Sequence, residues 1–264
     1  RDLHRVDRRQ RQMCIRDSLR RSTALNHTAT HILHAVLRSV LGDHVKQAGS
    51  LVAPERFRFD FTHFAALTPE EIAEIEWRVN EEIRENQPLD VKVMDLEEAL
   101  RTGAMALFEE KYGDRVRMVE IPGFSRELCG GTHTHRTGDI GLFVITQESG
   151  VAAGVRRIEG LTGSAALAHV QRQQAVLRQA AQLLKVSPLE LPERIERLTQ
   201  AHRQVERELE SLKASLAGRH STDLLAQAEE IGGVKMLVVQ VEAENPKMLR
   251  EMNDQFKDLS LIHI

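Results

Sequence analysis

Cysteine, tryptophan and tyrosine are scarce in this chain, and long apolar runs are absent. It has 264 residues with two cysteines, one tryptophan and one tyrosine. We expect Cys14 to lie in a foreign segment, which leaves Cys129 unable to form an internal disulfide and indicates a reducing compartment. No apolar run approaches the roughly 20 residues that span a bilayer, and no secretory signal is recognisable. We therefore predict a cytoplasmic protein of one or two domains without a membrane span.

The two ends of the chain carry a matched pair of segments, residues 13–18 and 259–264. The codons CTG TCT CTT ATA CAC ATC encode the second segment, and the reverse complement of that DNA encodes the first. This DNA resembles a transposon end used to prepare sequencing libraries. We therefore expect residues 1–18 and 259–264 to be adapter-derived, and we exclude both from the fold prediction.

Acidic residues outnumber basic residues between these ends. The whole chain has a formal net charge of −3, and residues 19–258 hold 30 basic and 36 acidic residues, a net charge of −6. Such a balance excludes a globally basic nucleic-acid binder. Any contact with RNA must therefore come from a local basic patch.

Two short clusters contain candidate metal ligands. His27 and His31 lie in N-H-T-A-T-H, and Cys129 and His133 lie in C-G-G-T-H. Residues i and i+4 project from the same face of a helix, so the first pair can bind one ion together. Three imidazoles and one thiolate form a good tetrahedral zinc set. The two pairs together predict a zinc site.

The gap between the first two histidines excludes the commonest zinc protease. An H-E-x-x-H protease has a glutamate beside its first histidine as general base. Here Thr28, Ala29 and Thr30 fill the gap. A lone H-x-x-x-H is more often a coincidence than a metal site, but the second pair, with Gly130 and Gly131 beside its cysteine, favours a metal.

Hydrophobic periodicity over the first 160 residues predicts an α+β fold, in which an antiparallel sheet packs with helices. The expected helices are 20–41, 68–86 and 96–112, the last broken at Gly103. The expected strands are 45–52, 56–61, 91–94 and 116–121, followed by a pair of strands, 140–147 and 151–159, joined by a turn at 148–150.

A different architecture is expected from about residue 164. Helical segments at 166–185 and 191–216 are separated by prolines, and apolar residues of the second recur in steps of four and three, as in a coiled coil. We predict a helical hairpin over 164–218 that serves as a spacer or docking arm. Residues 219–258 resemble the start of a βα unit that is truncated at 258, because two elements cannot bury a core alone.

Several motifs resemble those of one enzyme family. N-H-T-A-T-H-I-L-H-A, Q-A-G-S-L-V, R-F-D-F, G-A-M-A-L-F, E-L-C-G-G-T-H, R-T-G-D-I-G-L-F and G-V-R-R-I-E resemble the editing domain of bacterial alanyl-tRNA synthetases, in order and spacing. This domain is of the threonyl/alanyl-tRNA synthetase second additional domain type. The resemblance covers residues 20–258 and implies an editing (deacylase) domain at 19–163, with the start of the synthetase's C-terminal domain at 219–258.

The resemblance assigns roles to individual residues. It implies one zinc ion held by His27, His31, Cys129 and His133. His135 could compete with His133 as a ligand, although we favour His133. His34, on the same predicted helix as the first pair, is assigned no role.

The resemblance also implies a substrate pocket. Thr30 and Gln47 would line it and could bind a serine hydroxyl, and the backbone N–H groups of Gly130 and Gly131 could approach the substrate. Arg156 and Arg157 are expected to contact the tRNA end. The alternative, weighed about evenly, is that these two arginines pair with nearby acidic residues on a strand.

The implied activity is hydrolysis of tRNA(Ala) mischarged with serine or glycine. A site that accepts alanine rejects such analogues poorly, so a second, hydrolytic site is needed. Four protein ligands allow two roles for zinc, activation of the attacking water or positioning of the substrate. The aminoacylation domain, which binds ATP and magnesium, would lie outside this chain, and self-association through the C-terminal region is possible.

Two other functions fit the motifs. One is a free-standing deacylase of mischarged alanine tRNA, which shares the zinc motifs. The other is a zinc-stabilised RNA-binding module without catalysis, which would bind tRNA and never cleave the ester.

Overall fold

The computed structural model describes residues 8–105, 113–225, 229–232 and 234–236, together with Val238 and Arg250. The chain divides into two compact units, Arg1–Ala175 and Val176–Ile264. Antiparallel sheets and helices make up the described part of the chain, which confirms the predicted α+β class. Among the described residues, no helix combines the length and the apolar character that crossing a bilayer requires.

The helices and strands alternate irregularly along the chain. The helices are α1 Arg8–Leu41, α2 Pro69–Arg84, α3 Leu96–Arg101, α4 Gly163–Leu184 and α5 Leu191–Leu225. The strands are β1 Gln47–Val52, β2 Phe57–Thr62, β3 Asp90–Asp95, β4 Arg115–Ile121, β5 Ser125–Leu128, β6 Phe143–Ala152, β7 Val155–Thr162, β8 Glu229–Ile231 and β9 Val234–Met236.

Helix ends follow the local signals in the sequence. Helix α1 ends at Leu41, and Gly42 follows with a φ of +113°, a conformation that favours glycine. Helix α2 begins with a capping box, in which Thr68 accepts from the N–H of Glu71 and the Glu71 carboxylate accepts from the N–H of Thr68. Helix α3 ends at Arg101, earlier than predicted; residues 102–105 are not helical, and residues 106–112 lie outside the described residues.

The first unit contains a four-stranded antiparallel sheet with the strand order β1-β2-β7-β6. On β2, Phe57, Phe59 and Phe61 are buried and pack in one core with apolar residues of α1 and α2. This burial agrees with the alternation of the Phe-Arg-Phe-Asp-Phe run. The helix that carries His27 and His31 is thereby fixed against the sheet.

The predicted turn at residues 148–150 is wrong. Strand β6 continues through these residues to Ala152, and the chain reverses at Ala153 and Gly154 instead. Gly154 has a φ of +70°, which a tight turn requires and other residues rarely adopt. Glycine at 150 lies at an irregularity of the strand register rather than in the turn.

A second sheet, in the order β3-β4-β5, contains a strand that the sequence analysis missed. Strand β5 has only four residues between the Pro122–Phe124 turn and the glycines of C-G-G-T-H, too few for a clear alternation. It pairs antiparallel with β4. Its end leads directly into Cys129, so this short strand places the second ligand pair.

The second unit contains α5 and the β8–β9 hairpin. The apolar stripe of α5 begins at buried Leu191, but the following members, from Ile195 to Leu216, are exposed. The helical hairpin and its coiled-coil contact therefore stay predictions. Most of the residues in the βα unit predicted over 219–258 lie outside the described residues.

Candidate metal centre

Four side chains that can bind a metal meet between α1 and the loop after β5. The ligand atoms of His27, His31, Cys129 and His133 all lie within 4.8 Å of one another. The two histidines of α1 are one helical turn apart, and β5 delivers the cysteine opposite them. The structure thus brings together the two pairs that the sequence analysis singled out; His135 is exposed and outside this group.

The separations within the group suit a tetrahedral ion. The Sγ atom of Cys129 lies 3.5 Å from Nε2 of His27 and 3.3 Å from Nε2 of His133. Zinc bonds of about 2.0 Å to nitrogen and 2.3 Å to sulfur, at tetrahedral angles, separate the two ligand atoms by about 3.5 Å. These atoms therefore need little movement to hold zinc.

One ring nitrogen of His31 is hydrogen-bonded, and the other has no hydrogen-bond partner among the described residues. Its Nδ1 is hydrogen-bonded to the Oε2 atom of Glu127. Its Nε2 is buried and has no hydrogen-bond partner within the described part of the chain. A buried polar atom of this kind needs an explanation, and a metal ligand provides one.

Thr28 lies between the first two histidines and is hydrogen-bonded to the loop that carries the second ligand pair. It is fully buried, and its Oγ1 accepts from the backbone N–H of Thr134 at 3.1 Å. The same oxygen lies 3.5 Å from Nδ1 of His133, so Nε2 of His133 is directed to the metal group.

Arg117 holds the cysteine loop from the other side. Its Nη1 donates to the carbonyl of Cys129 at 3.0 Å and to the carbonyl of Gly131 at 2.6 Å. The loop is also bonded to β4, because the N–H of Cys129 donates to the carbonyl of Arg117. The N–H of Gly131 donates to Sγ of Cys129 at 3.4 Å and so favours the thiolate.

The two glycines of the loop have different surroundings. A Cβ on Gly131 would lie 1.9 Å from Cε1 of His27, whereas a Cβ on Gly130 would meet nothing within 4 Å. Gly131 is therefore required by packing against a ligand. The open space at Gly130 leaves room for a bound molecule.

The thiol of Cys129 is prepared to bind a cation. Burial raises its pKa, but hydrogen bonds from His133 and His27 outweigh burial and lower the pKa to about 3. Burial also lowers the pKa of His133, to about 4, although the hydrogen bond with Cys129 opposes this. At neutral pH the site thus offers a thiolate and a neutral imidazole, the forms that ligate metals.

Glu127 supplies the second negative charge beside the group. Burial lowers the pKa of His31, but the negative charges of Glu127 and Cys129 and the bond to Glu127 raise that pKa to about 10, so a metal that binds His31 displaces a proton. Burial likewise raises the pKa of Glu127, while the charge of His31 and bonds to His31 and His34 lower it to about 2. The carboxylate is ionised and can support a cationic site.

The donor types, their spacing, the unpartnered Nε2 of His31 and the cradle at Gly131 all fit a zinc ion. Four side chains supply the ligand atoms; His31 is buried, and the other three are partly buried. Zinc is therefore compatible with the residues present.

Thr30 contacts the first ligand pair through the backbone, and Gln47 lies at the start of β1. Thr30 is 5% exposed, and its hydroxyl donates to the carbonyl of His27 at 2.8 Å, so its oxygen keeps the capacity to accept. Gln47 begins β1 opposite Phe61, at a register irregularity that ends at Gly49. Irregularities of this kind often re-aim side chains next to functional sites.

Arg156 and Arg157 both pair with carboxylates, as the alternative in the sequence analysis expected. Arg156 donates to both oxygens of Glu148 at 2.6 Å, and Arg157 donates to both oxygens of Asp60 at 2.7 and 2.9 Å. Each guanidinium has five N–H groups, so each keeps donors beyond these two bonds. A contact with RNA stays a prediction.

Sequence reasoning missed three residues that support the ligands. Glu127 and Cys129 are two residues apart at the end of a strand, a spacing that places both on one side. His34 follows His31 by three residues and so shares its helix face. These two signals were available, whereas the contact of Arg117 with the loop carbonyls had no local signal.

Comparison with known proteins finds one family and a consistent set of relatives. Residues 116–159 match the threonyl and alanyl tRNA synthetase second additional domain. Over 238 residues, 90% of this chain, it is 54% identical to the alanine–tRNA ligase of Xanthomonas campestris pv. campestris strain 8004. It is 52% identical over 248 residues to that of Saccharophagus degradans and 54% identical over 244 residues to that of Methylococcus capsulatus. The chain spans 27 to 28% of the length of these relatives.

Proposed function

Because this chain corresponds to a segment of the alanine–tRNA ligases, we propose that it contains an editing site that hydrolyses tRNA(Ala) mischarged with serine or glycine. The observation that carries the proposal is the convergence of His27, His31, Cys129 and His133, with the hydroxyl of Thr30 bonded to the carbonyl of His27. The match of residues 116–159 to a domain of threonyl and alanyl tRNA synthetases supports the same assignment.

One zinc ion is the proposed cofactor. When bound, zinc supplies a Lewis acid that polarises the ester carbonyl. The chain prepares the site by presenting an anionic Cys129 and a neutral His133. Thr28 and Arg117 fix the loop that carries both ligands, so the loop stays in place while the substrate enters.

Recognition of serine is assigned to Thr30 and Gln47. The Thr30 hydroxyl donates a hydrogen bond to the carbonyl of His27, so its oxygen can accept a hydrogen bond from the hydroxyl of a seryl group. Alanine has no such donor. Gln47 offers an amide at the start of β1 that can complete the contact with the serine side chain.

We assign binding of the tRNA end to the loop glycines and to two arginines. The open space beside Gly130 lets backbone N–H groups approach the ester, and Gly131 continues the same loop. Arg156 and Arg157 are held rigidly by Glu148 and Asp60, and their remaining N–H groups can contact a phosphate.

The same proposal extends to the longer protein. We propose that the longer, cytoplasmic protein charges tRNA(Ala) with alanine, using ATP and magnesium in a part outside this chain. The domain limits 19–163, 164–218 and 219–258, and self-association through the C-terminal region, are also proposals.

Deacylation of serine- and glycine-charged tRNA(Ala) by the zinc-loaded chain tests the function. We expect release of the amino acid by the wild type and none above the uncatalysed rate by Cys129→Ala, because the substitution removes a ligand. Cys14→Ala is the matched control and should behave as the wild type. Binding of tRNA without ester hydrolysis by the folded, zinc-loaded wild type would contradict editing and favour a non-catalytic RNA-binding module.

A further inference from the structure

Glu127 and His34 are two buried ionisable residues that the proposed function has not used. Each is 1% exposed. Oε1 of Glu127 lies 2.9 Å from Nδ1 of His34, and Oε2 of the same carboxylate is hydrogen-bonded to Nδ1 of His31. One carboxylate from β5 therefore bridges two imidazoles of α1.

The bridge determines which nitrogen of His31 is available. A metal ion at Nε2 takes the place of any proton there, and the imidazole then donates its Nδ1–H and ligates through Nε2. Nε2 of His31 has no hydrogen-bond partner among the described residues, and His31 belongs to the metal-binding group. The bond to Glu127 thus fixes both the tautomer and the ring orientation that ligation requires.

His34 holds the carboxylate itself. A carboxylate bonded through one oxygen can rotate about its last side-chain bond. The second bond, from Nδ1 of His34 to the other oxygen, prevents this rotation. His34 lies three residues after His31, on the same face of α1, so the helix positions both imidazoles against one carboxylate.

Stability alone does not explain this arrangement. Well-packed apolar residues often stabilise a core as much as a buried ion pair does, since the charges must be desolvated. Nε2 of His34 is also buried without a hydrogen-bond partner in the described chain, which is unfavourable for a residue that only fills the core. The need to orient His31 as a ligand explains why both Glu127 and His34 are buried here.

We propose that Glu127, held in place by His34, is a positioning residue that fixes His31 as an Nε2 ligand of the zinc ion. This inference rests on the metal centre of the proposed function. It adds two residues that act through His31 and touch neither the substrate nor the ion.

Zinc affinity of the full chain, measured by competition with a chromophoric chelator, tests the inference. Glu127→Gln keeps the volume of the side chain and removes its charge, and we expect zinc affinity to fall about 10- to 100-fold. Glu120→Gln is the matched control. Glu120 lies on the same β4–β5 hairpin, where it pairs with Arg126 and contacts no ligand, so its variant should bind zinc like the wild type.

Two variants of His34 separate positioning from packing. The amide of His34→Gln can still donate to Glu127, whereas His34→Leu cannot. We expect the Gln variant to bind zinc more tightly than the Leu variant. Equal affinities of both variants with the wild type would show that His34 does not hold the carboxylate and would overturn its part of the proposal.

If these variants do not fold, a measurement on the wild type tests the proposal instead. Long-range ¹H–¹⁵N spectra of the zinc-loaded protein should show His31 protonated at Nδ1 and ligating through Nε2; ligation through Nδ1 would overturn the inference. Zinc binding by Glu127→Gln equal to that of the wild type would overturn the inference alone. A wild type that binds no zinc would overturn the metal centre, and the inference with it.

Discussion

Gly131 and His27 are in such close contact that a Cβ on Gly131 would lie 1.9 Å from Cε1 of the imidazole. Any side chain at position 131 must displace a proposed ligand. We expect Gly131→Ala to weaken zinc binding by at least about tenfold, the scale on which losing ligand support acts. Competition titration with a chelator measures this.

Gly130→Ala provides the control for that prediction. A Cβ at this position meets nothing within 4 Å, so zinc affinity should not change. If the two alanine variants bound zinc equally well, the contact between the loop and His27 would not constrain the site.

Arg117 is expected to matter for the metal site through two backbone carbonyls. Arg117→Met removes both bonds to the cysteine loop, and bonds from a charged donor contribute about 1.5–3 kcal/mol each. We predict a lower free energy of unfolding and weaker zinc binding. Arg126→Met, in the same hairpin, removes bonds to Glu120 and should lower stability without changing zinc affinity. Unchanged zinc binding by the Arg117 variant would refute the role of the clamp.

Zinc should stabilise the fold through Cys129. Zinc at about 1,000 times its dissociation constant adds about 4 kcal/mol to the free energy of unfolding when only the folded state binds. We expect chelation to lower the melting temperature of the wild type and of Cys14→Ala. Cys129→Ala should melt at the same temperature with and without the chelator; a chelator effect that persisted in this variant would place the metal elsewhere.

The pair of Asp60 and Arg157 predicts a pH-dependent stability. The hydrogen bond from Arg157 lowers the pKa of Asp60 below its ordinary value of 3.8, and burial opposes this only in part. Because the folded pKa is lowered, the pair stabilises the fold above about pH 4, and this contribution is lost as the pH falls further. Asp60→Asn should therefore be less stable than the wild type at pH 7, with a smaller difference at pH 3. Urea unfolding at both pH values measures the difference, and a difference that is the same at both would contradict the assignment.

The spacing of ligands made the metal group predictable from sequence. His27 and His31 are one helical turn apart, and helix α1 was evident from its apolar repeat, so their shared face followed directly. Cys129 reaches these histidines because the short strand β5 places it there, and no sequence periodicity predicted that strand. Only the combination of ligand types in the two motifs suggested that the motifs meet.

The supporting residues were less accessible to sequence reasoning. Glu127 is a charged residue next to an apolar strand position, and a charged residue is more often exposed than buried. Its burial follows from two histidines on another element, a contact that a single sequence does not record. The turn at Gly154 was misplaced because Gly150, four residues earlier, offers the same local signal within the strand.

The ratio of serine to alanine release from charged tRNA(Ala) tests the central claim most directly. Single-turnover rates should be measured for the zinc-loaded chain and for Thr30→Val, which keeps the shape of the side chain and removes the hydroxyl. The account predicts that the wild type releases serine faster than alanine and that Thr30→Val reduces this preference. Equal release of serine and alanine by the zinc-loaded wild type, or release of neither, would contradict it.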